Sequence, residues 1–253
     1  MTVIDEMFSL KGRLALVTGS SRGIGRAIAV AFAQAGARVI LHASKPAPRL
    51  DEALAEVRDI GADATAVTCD LTDADALRQA IQAMPEHPDI LVLNASCQQY
   101  MPMELFEEEE FDKEYAANVR ASFTLCKAFL PKMVESRWGR VIAIGSVNEW
   151  KQSPRLPVYA SSKSAQTGMI MSIARTHSQY GITANSIAPG IITTDRNVKT
   201  LSDPEKVKML LAGIPAGFFG KPKDIAGTAL LLASDAGAYI NGANIPVTGG
   251  MHL

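Results

Sequence analysis

Cysteine is scarce in this chain: Cys69, Cys97 and Cys126 are the only three in 253 residues, far apart and without a C-x-x-C pair. That argues against a disulfide-stapled fold and reads as reduced thiols in a cytoplasmic protein. Histidine is nearly as rare. His42, His87, His177 and His252 share no metal-ligand spacing, so no metal is expected. Neither sign of charge dominates: 25 Lys and Arg face 26 Asp and Glu, for a net charge of -1. Such a balance gives no footprint for nucleic acid or an anionic membrane. No apolar run reaches the length of a membrane span. Met1 to Leu10 holds Asp5 and Glu6 and lacks a basic region ahead of an apolar stretch, so no secretory signal is expected. A hydrolase drawn from Ser146, His177 and Asp195 lacks a G-x-S-x-G elbow. No linker or shift in composition divides the chain, so residues 1–253 are expected to form one domain.

What is present is an alternation of short apolar runs and helical patterns. Strands are expected at Leu14–Thr18, Val39–His42, Ala64–Cys69, Ile90–Asn94, Val141–Ile144, Thr183–Ala188 and Asn244–Val247. Helices are expected over Gly23–Ala35, Leu50–Ile60, Asn118–Ser136, Tyr159–Tyr180 and Lys223–Ala233, with Asp73 capping another. The acid run Glu107–Glu110 suits the positive start of a helix. Continuously apolar strands with helices between them predict an α/β fold, with a parallel sheet covered on both faces.

The first strand runs into Thr18-Gly19-Ser20-Ser21-Arg22-Gly23-Ile24-Gly25, and an Ala-rich helix follows. Glycines there allow a tight turn and close backbone approach to a pyrophosphate, which the helix N-terminus then binds. No Gly-Lys-Ser/Thr closes the loop, so it is not a Walker A motif. A binder of the 2′-hydroxyl of NAD places an acid about 20 residues beyond such a loop. Here the second strand ends in His42-Ala43-Ser44-Lys45, and the next acid is Asp51. Arg22, Ser44 and Lys45 are available for a 2′-phosphate, so NADP(H) is expected over NAD(H).

Tyr159 and Lys163 lie four apart in Val158-Tyr159-Ala160-Ser161-Ser162-Lys163, at the start of a predicted helix. At that spacing they share one helical face. A free Tyr keeps its proton to about pH 10, and a neighbouring ammonium favours the phenolate. The pair is a candidate general acid/base.

Thr18-Gly19-x-x-x-Gly23-x-Gly25, Asn94-Ala95, Asn118, Ser146, Tyr159-x-x-x-Lys163 and Pro189-Gly190 resemble, in order and spacing, the motif set of the short-chain dehydrogenase/reductases. The resemblance spans essentially the whole chain. It implies a Rossmann-type, doubly wound parallel sheet of about seven strands and reversible hydride transfer between a carbonyl and an alcohol. It also implies site roles. Ser146 binds the substrate carbonyl, Tyr159 moves the proton, Lys163 supports Tyr159 and the nicotinamide ribose, and Asn118 holds a relay water. Gly19, Ser21, Arg22, Gly23, Ile24 and Gly25 line the phosphates. Asp70 and Leu71 meet the adenine, Asn94 and Ala95 lie near its ribose, and Pro189, Gly190, Ile192 and Thr194 border the nicotinamide. The chain departs from the usual pattern at Ser96, where Gly is common, and at Val247-Thr248-Gly249-Gly250, where many members have Asp-Gly-Gly. Family members are commonly homotetramers, and a mobile lid is expected over Thr193–Gly213. A sensor that binds NADP without turnover is the alternative from another class. The intact catalytic set speaks against it.

Segments 97–103, 147–158 and 191–219 are expected to border the substrate. They mix Gln98, Gln99, Asn148, Glu149, Lys151 and Arg155 with Tyr100, Met101, Trp150, Phe218 and Phe219. The resemblance is strongest to 3-oxoacyl-carrier-protein reductases and to gluconate and polyol dehydrogenases. Arg137 matches one of two carrier-docking arginines of the former, and Tyr180 stands at the other. The Phe8-to-Gly12 opening and Gln98-Gln99 are similar to the latter. The expected cofactor tips the reading slightly to the reductase.

Overall fold

The computed structural model describes residues 2–198 and 202–253. Seven parallel strands form one sheet in the order β3-β2-β1-β4-β5-β6-β7. They are β1 (Leu14–Val17), β2 (Arg38–Ala43), β3 (Ala64–Thr68), β4 (Ile90–Leu93), β5 (Gly139–Ile144), β6 (Ile182–Pro189) and β7 (Asn244–Val247). Each sequence-predicted strand is present to within two residues at its ends.

The strands alternate sides with period two, and both sides are apolar. Ala15, Val17, Ile90 and Val92 point into a layer with Ile28, Phe32, Val57, Ile225 and Leu232. Leu14, Leu16, Leu91 and Leu93 point into the opposite layer with Leu125, Phe129, Met133 and Ile170. Helices Gly23–Gln34, Pro48–Asp59 and Pro222–Ala233 cover the first face, and helices Ala121–Ser136 and Pro157–His177 cover the second. The edge strands are less covered: β3 is largely exposed and β7 half-buried. Burial of each large apolar side chain contributes roughly 1.5–3 kcal/mol, so the central strands hold the sheet.

Strand order reverses between β1 and β4, which places a crevice at their C-terminal ends. The loops that carry the predicted motifs all leave from this edge.

Three helices were not legible from apolar periodicity: Val3–Met7, Asn148–Lys151 and Pro204–Ala212. None of them buries a residue, so none carries an apolar stripe. The expected helix over Asn118–Ser136 begins earlier, at Glu108, and passes through a π-turn at Ala116–Arg120. Asn118 lies inside that turn.

Candidate active site

The Gly-rich loop is locked to the turn after β4. The Thr18 hydroxyl donates to the Val92 carbonyl (3.0 Å) and accepts the N–H groups of Asn94 (2.9 Å) and Ala95 (3.0 Å). The Asn94 amide donates to the carbonyls of Thr18 (2.8 Å) and Gly19 (3.1 Å). Gly19 has φ +65°, and a Cβ there would sit 2.9 Å from Ala95 Cα. One on Gly25 would come within 2.5 Å of the Asn94 amide. Only glycine fits this cradle. Helix Gly23–Gln34 opens after Arg22 with no side-chain cap and no acid in its first turn. Its N-terminal N–H groups therefore suit an anion, as a nucleotide pyrophosphate requires. Ser21 and Ile24 flank them, both half-buried.

His42, at the end of β2, braces the loop from below. Its Nδ1 accepts the Gly19 N–H (3.1 Å), and its Nε2 donates to the Cys69 carbonyl (3.1 Å). These partners fix the neutral tautomer. Burial pushes the imidazole below its ordinary pKa, against the Cys69 hydrogen bond and the Asp70 charge. Sequence reasoning placed His42 at a strand end without metal-ligand spacing and missed this bracing role.

Ser44 and Lys45 are exposed just past β2. Arg22 lies 3.8 Å from Asp195, and Arg49 pairs with the same carboxylate at 2.9 Å. Arg49 is a third cation on this rim, one that the sequence reading missed. Its signal was its place six residues past β2. Asp70 is exposed, with its carboxylate accepting from the Thr72 N–H (2.9 Å) and hydroxyl (2.8 Å), and Leu71 is buried beside it.

Tyr159 and Lys163 are both buried in the first turns of helix Pro157–His177. The Lys163 ammonium lies 5.9 Å from the centroid of the Tyr159 ring. It donates to the Ile144 carbonyl at the end of β5 (2.6 Å) and to Gln166 Oε1 (3.0 Å). Ser146 is two residues past that strand end. Its N–H donates to Glu149 (2.8 Å), whose other oxygen accepts from Asn244 (3.0 Å). Its Oγ accepts the N–H (3.1 Å) and side-chain amide (3.2 Å) of Asn148. A hydroxyl that accepts in this way keeps its own proton to donate. Asn118 exchanges two 2.9 Å bonds with the Cys97 backbone and donates to Ser162 Oγ (2.9 Å), next to Lys163. The structure thus gathers Asn118, Ser146, Tyr159 and Lys163 at the C-terminal edge of β4 and β5.

Pro189 ends β6, and Gly190 lies close to Thr248, since a Cβ on Gly190 would sit 2.9 Å from Thr248 Cα. Ile192 is buried, and Thr194 reaches the Gly loop, 3.4 Å from where a Gly23 Cβ would lie. Of the expected lid, residues 199–201 lie outside the described residues.

Glu114 was also missed. It is 0% exposed; one carboxyl oxygen accepts the Gln99 N–H and the other has no hydrogen-bond partner. Burial raises its pKa to about 7; the Glu110 charge adds to this and the Gln99 bond opposes it. A raised folded-state pKa means stability that is full below the unfolded value of 4.5 and lost as pH climbs to about 7. Glu114→Gln should therefore stabilise the protein by up to about 3 kcal/mol at pH ~8 and by little at pH ~5. Denaturant unfolding at the two pH values checks this; an equal effect at both contradicts it.

The family model described as short chain dehydrogenase matches residues 13–205. A 2-dehydro-3-deoxy-D-gluconate 5-dehydrogenase of Pseudoalteromonas atlantica is 36% identical over 97% of this chain and 98% of its own. The crystal structure of a 3-oxoacyl-(acyl-carrier-protein) reductase from Agrobacterium tumefaciens with NADP bound superposes with TM-score 0.92 at 37% identity, covering 99% of this chain and 98% of that one. A gluconate 5-dehydrogenase from Burkholderia cenocepacia, in complex with NADP and tartrate, gives TM-score 0.91 at 31% identity over 98% of both chains. With the seven-stranded parallel sheet and the motif set at its edge, these matches establish that the chain belongs to the short-chain dehydrogenase family of oxidoreductases.

Proposed function

We propose that this enzyme interconverts a ketone and a secondary alcohol with NADP(H), and that Asn118, Ser146, Tyr159 and Lys163 do the work. The observation that carries the reading is a buried ammonium on the same helical face as a buried tyrosine, beside a serine whose hydroxyl is held to donate. In reduction Ser146 donates to the substrate carbonyl oxygen, and Tyr159 delivers a proton as that oxygen becomes an alkoxide. In oxidation Tyr159 takes the proton back. The Lys163 ammonium favours the phenolate and would hold the nicotinamide ribose when the cofactor is bound. Asn118 fixes the turn after β4 and supports a proton relay behind Lys163. When bound, the nicotinamide supplies or accepts the hydride.

The residues fit NADP(H). The glycine cradle and the uncapped helix start suit a pyrophosphate, with Gly19, Ser21, Arg22, Gly23, Ile24 and Gly25 around it. Arg22, Ser44 and Lys45, joined by Arg49, suit the 2′-phosphate. The absence of an acid at the end of β2 favours it as well. Asp70 and Leu71 would flank the adenine and Asn94 and Ala95 its ribose. Pro189, Gly190, Ile192 and Thr194 border the nicotinamide.

For substrate we favour a hydroxyl-rich keto acid or its alcohol. The expected cofactor no longer separates the two candidate classes, because a gluconate 5-dehydrogenase of similar structure also holds NADP. The pocket-side segments carry the amides of Gln98, Gln99 and Asn148, which suit hydroxyls, and the cations Lys151 and Arg155, which suit a carboxylate. Arg137, the one carrier-docking match, donates one N–H to the Gln179 carbonyl (2.9 Å), and Tyr180 stands where the second arginine is expected. A 3-oxoacyl thioester is the second reading, favoured by the NADP-bound reductase at 37% identity.

A homotetramer is further proposed. A groove lined by Tyr115, Val119, Phe123 and Met169 runs beside helix Pro157–His177, and Phe123 is 53% exposed there. A Cβ on Gly168 meets nothing within 4 Å, so this helix face is bare. The single sheet, packed on both faces, supports one domain over 1–253. No helix among the described residues is long and apolar enough to cross a membrane. A cytoplasmic place is proposed from the few, widely spaced cysteines, which lack a C-x-x-C pair.

Tyr159→Phe should lower turnover about 100-fold or more and leave NADPH binding nearly intact. The assay is a panel of keto-sugar acids, keto sugars and a 3-oxoacyl thioester; unchanged turnover refutes the role of Tyr159. Turnover of the thioester alone moves the assignment to the second reading. Light scattering should report a tetramer that Gly168→Arg dissociates, and a monomeric parent protein contradicts the assembly.

A further inference from the structure

Lys163 begins a buried chain of hydrogen bonds. Its ammonium donates to Gln166 Oε1 (3.0 Å), Gln166 Nε2 donates to Ser122 Oγ (2.7 Å), and Ser122 Oγ donates to the Asn118 carbonyl (2.9 Å). Lys163 is 1% exposed, Gln166 0%, Ser122 3% and Asn118 0%. The direction of every bond is forced. An ammonium only donates, so the amide oxygen faces it and the amide nitrogen faces Ser122. The Ser122 hydroxyl must then pass its proton to a carbonyl, which only accepts. Turning any one member leaves a buried polar group unpaired, at a cost of about 1–3 kcal/mol.

We propose that Gln166 and Ser122 are positioning residues of this oxidoreductase, holding Lys163 charged and aimed at Tyr159. The proposal rests on the Tyr159–Lys163 reading above. Burial disfavours an ammonium unless acceptors replace its water. A carboxylate could do so, but it would also cancel much of the positive field that favours the Tyr159 phenolate. Gln166 accepts the hydrogen bond without adding charge. Ser122 keeps the amide from turning its nitrogen toward Lys163. The relay also ties helix Pro157–His177 to the π-turn that carries Asn118. One network therefore positions both candidate site residues.

The test needs no substrate. The near-ultraviolet phenolate absorbance of the protein is titrated against pH, and the same curve for Tyr159→Phe is subtracted to isolate Tyr159. Gln166→Leu should raise the Tyr159 midpoint by about half a unit or more, because the buried ammonium loses one of its acceptors. Ser122→Ala should move it in the same direction by less, and Ser122→Thr should restore it. Should Gln166→Leu fold poorly, the Ser122 pair carries the test alone. A midpoint unmoved in the folded variants, whatever happens to their melting temperature, overturns the positioning role and leaves the Tyr159 assignment standing. Absence of any Tyr159-dependent step in the parent protein overturns both.

Discussion

The crossing at the β1–β4 switch point is the constraint on which the rest depends. Strand order reverses there, so the loops after β1 and β4 diverge and leave a crevice. The chain bridges its floor with one hydroxyl and one amide. Thr18 ties three backbone groups of β4 and its following turn, and Asn94 returns two bonds to the Gly loop. These bonds between the two turns shape the loop. His42 supports it from β2, so three adjacent strands contribute to one cradle. Glycine is required where that cradle closes on itself, at Gly19 and Gly25.

A second constraint is electrostatic. Lys163 is buried, and its ammonium is met by a carbonyl and an amide. Neutral acceptors replace water without quenching the charge. The arrangement concentrates a positive field next to Tyr159, in surroundings where Coulomb interactions are strong. Glu114 illustrates the opposite case. Its buried carboxyl has one backbone donor and is pushed toward the neutral form. Asn118 and Glu114, four residues apart, hold the turn after β4 through the N–H groups of Cys97 and Gln99.

Much of this was legible in the sequence. Continuous apolar runs marked the strands because the central ones are buried on both faces. The Gly spacing and the Tyr-Lys spacing marked the site because backbone approach and a shared helical face each demand particular residues. What stayed hidden has physical reasons. Helix Pro204–Ala212 buries nothing, so no periodic stripe announced it. The π-turn around Asn118 changes the hydrogen-bond register without changing composition. Gln166, Ser122, Glu149 and His42 each have at least one partner distant in sequence, and their residue types alone are unremarkable. Gln166 had a faint signal, since it lies three residues beyond Lys163 on the same face.

Substrate choice rests on loops whose lining is mixed, whereas cofactor choice rests on few groups with opposed signs. The account is therefore tested most directly at the cofactor. Binding of NADPH and NADH to the purified protein, measured side by side by titration, should favour NADPH about tenfold or more, with the preference shrinking as salt screens Arg22 and Arg49. Equal or tighter binding of NADH would contradict the reading of the β2 end, and failure to bind either would contradict the account of the cradle itself.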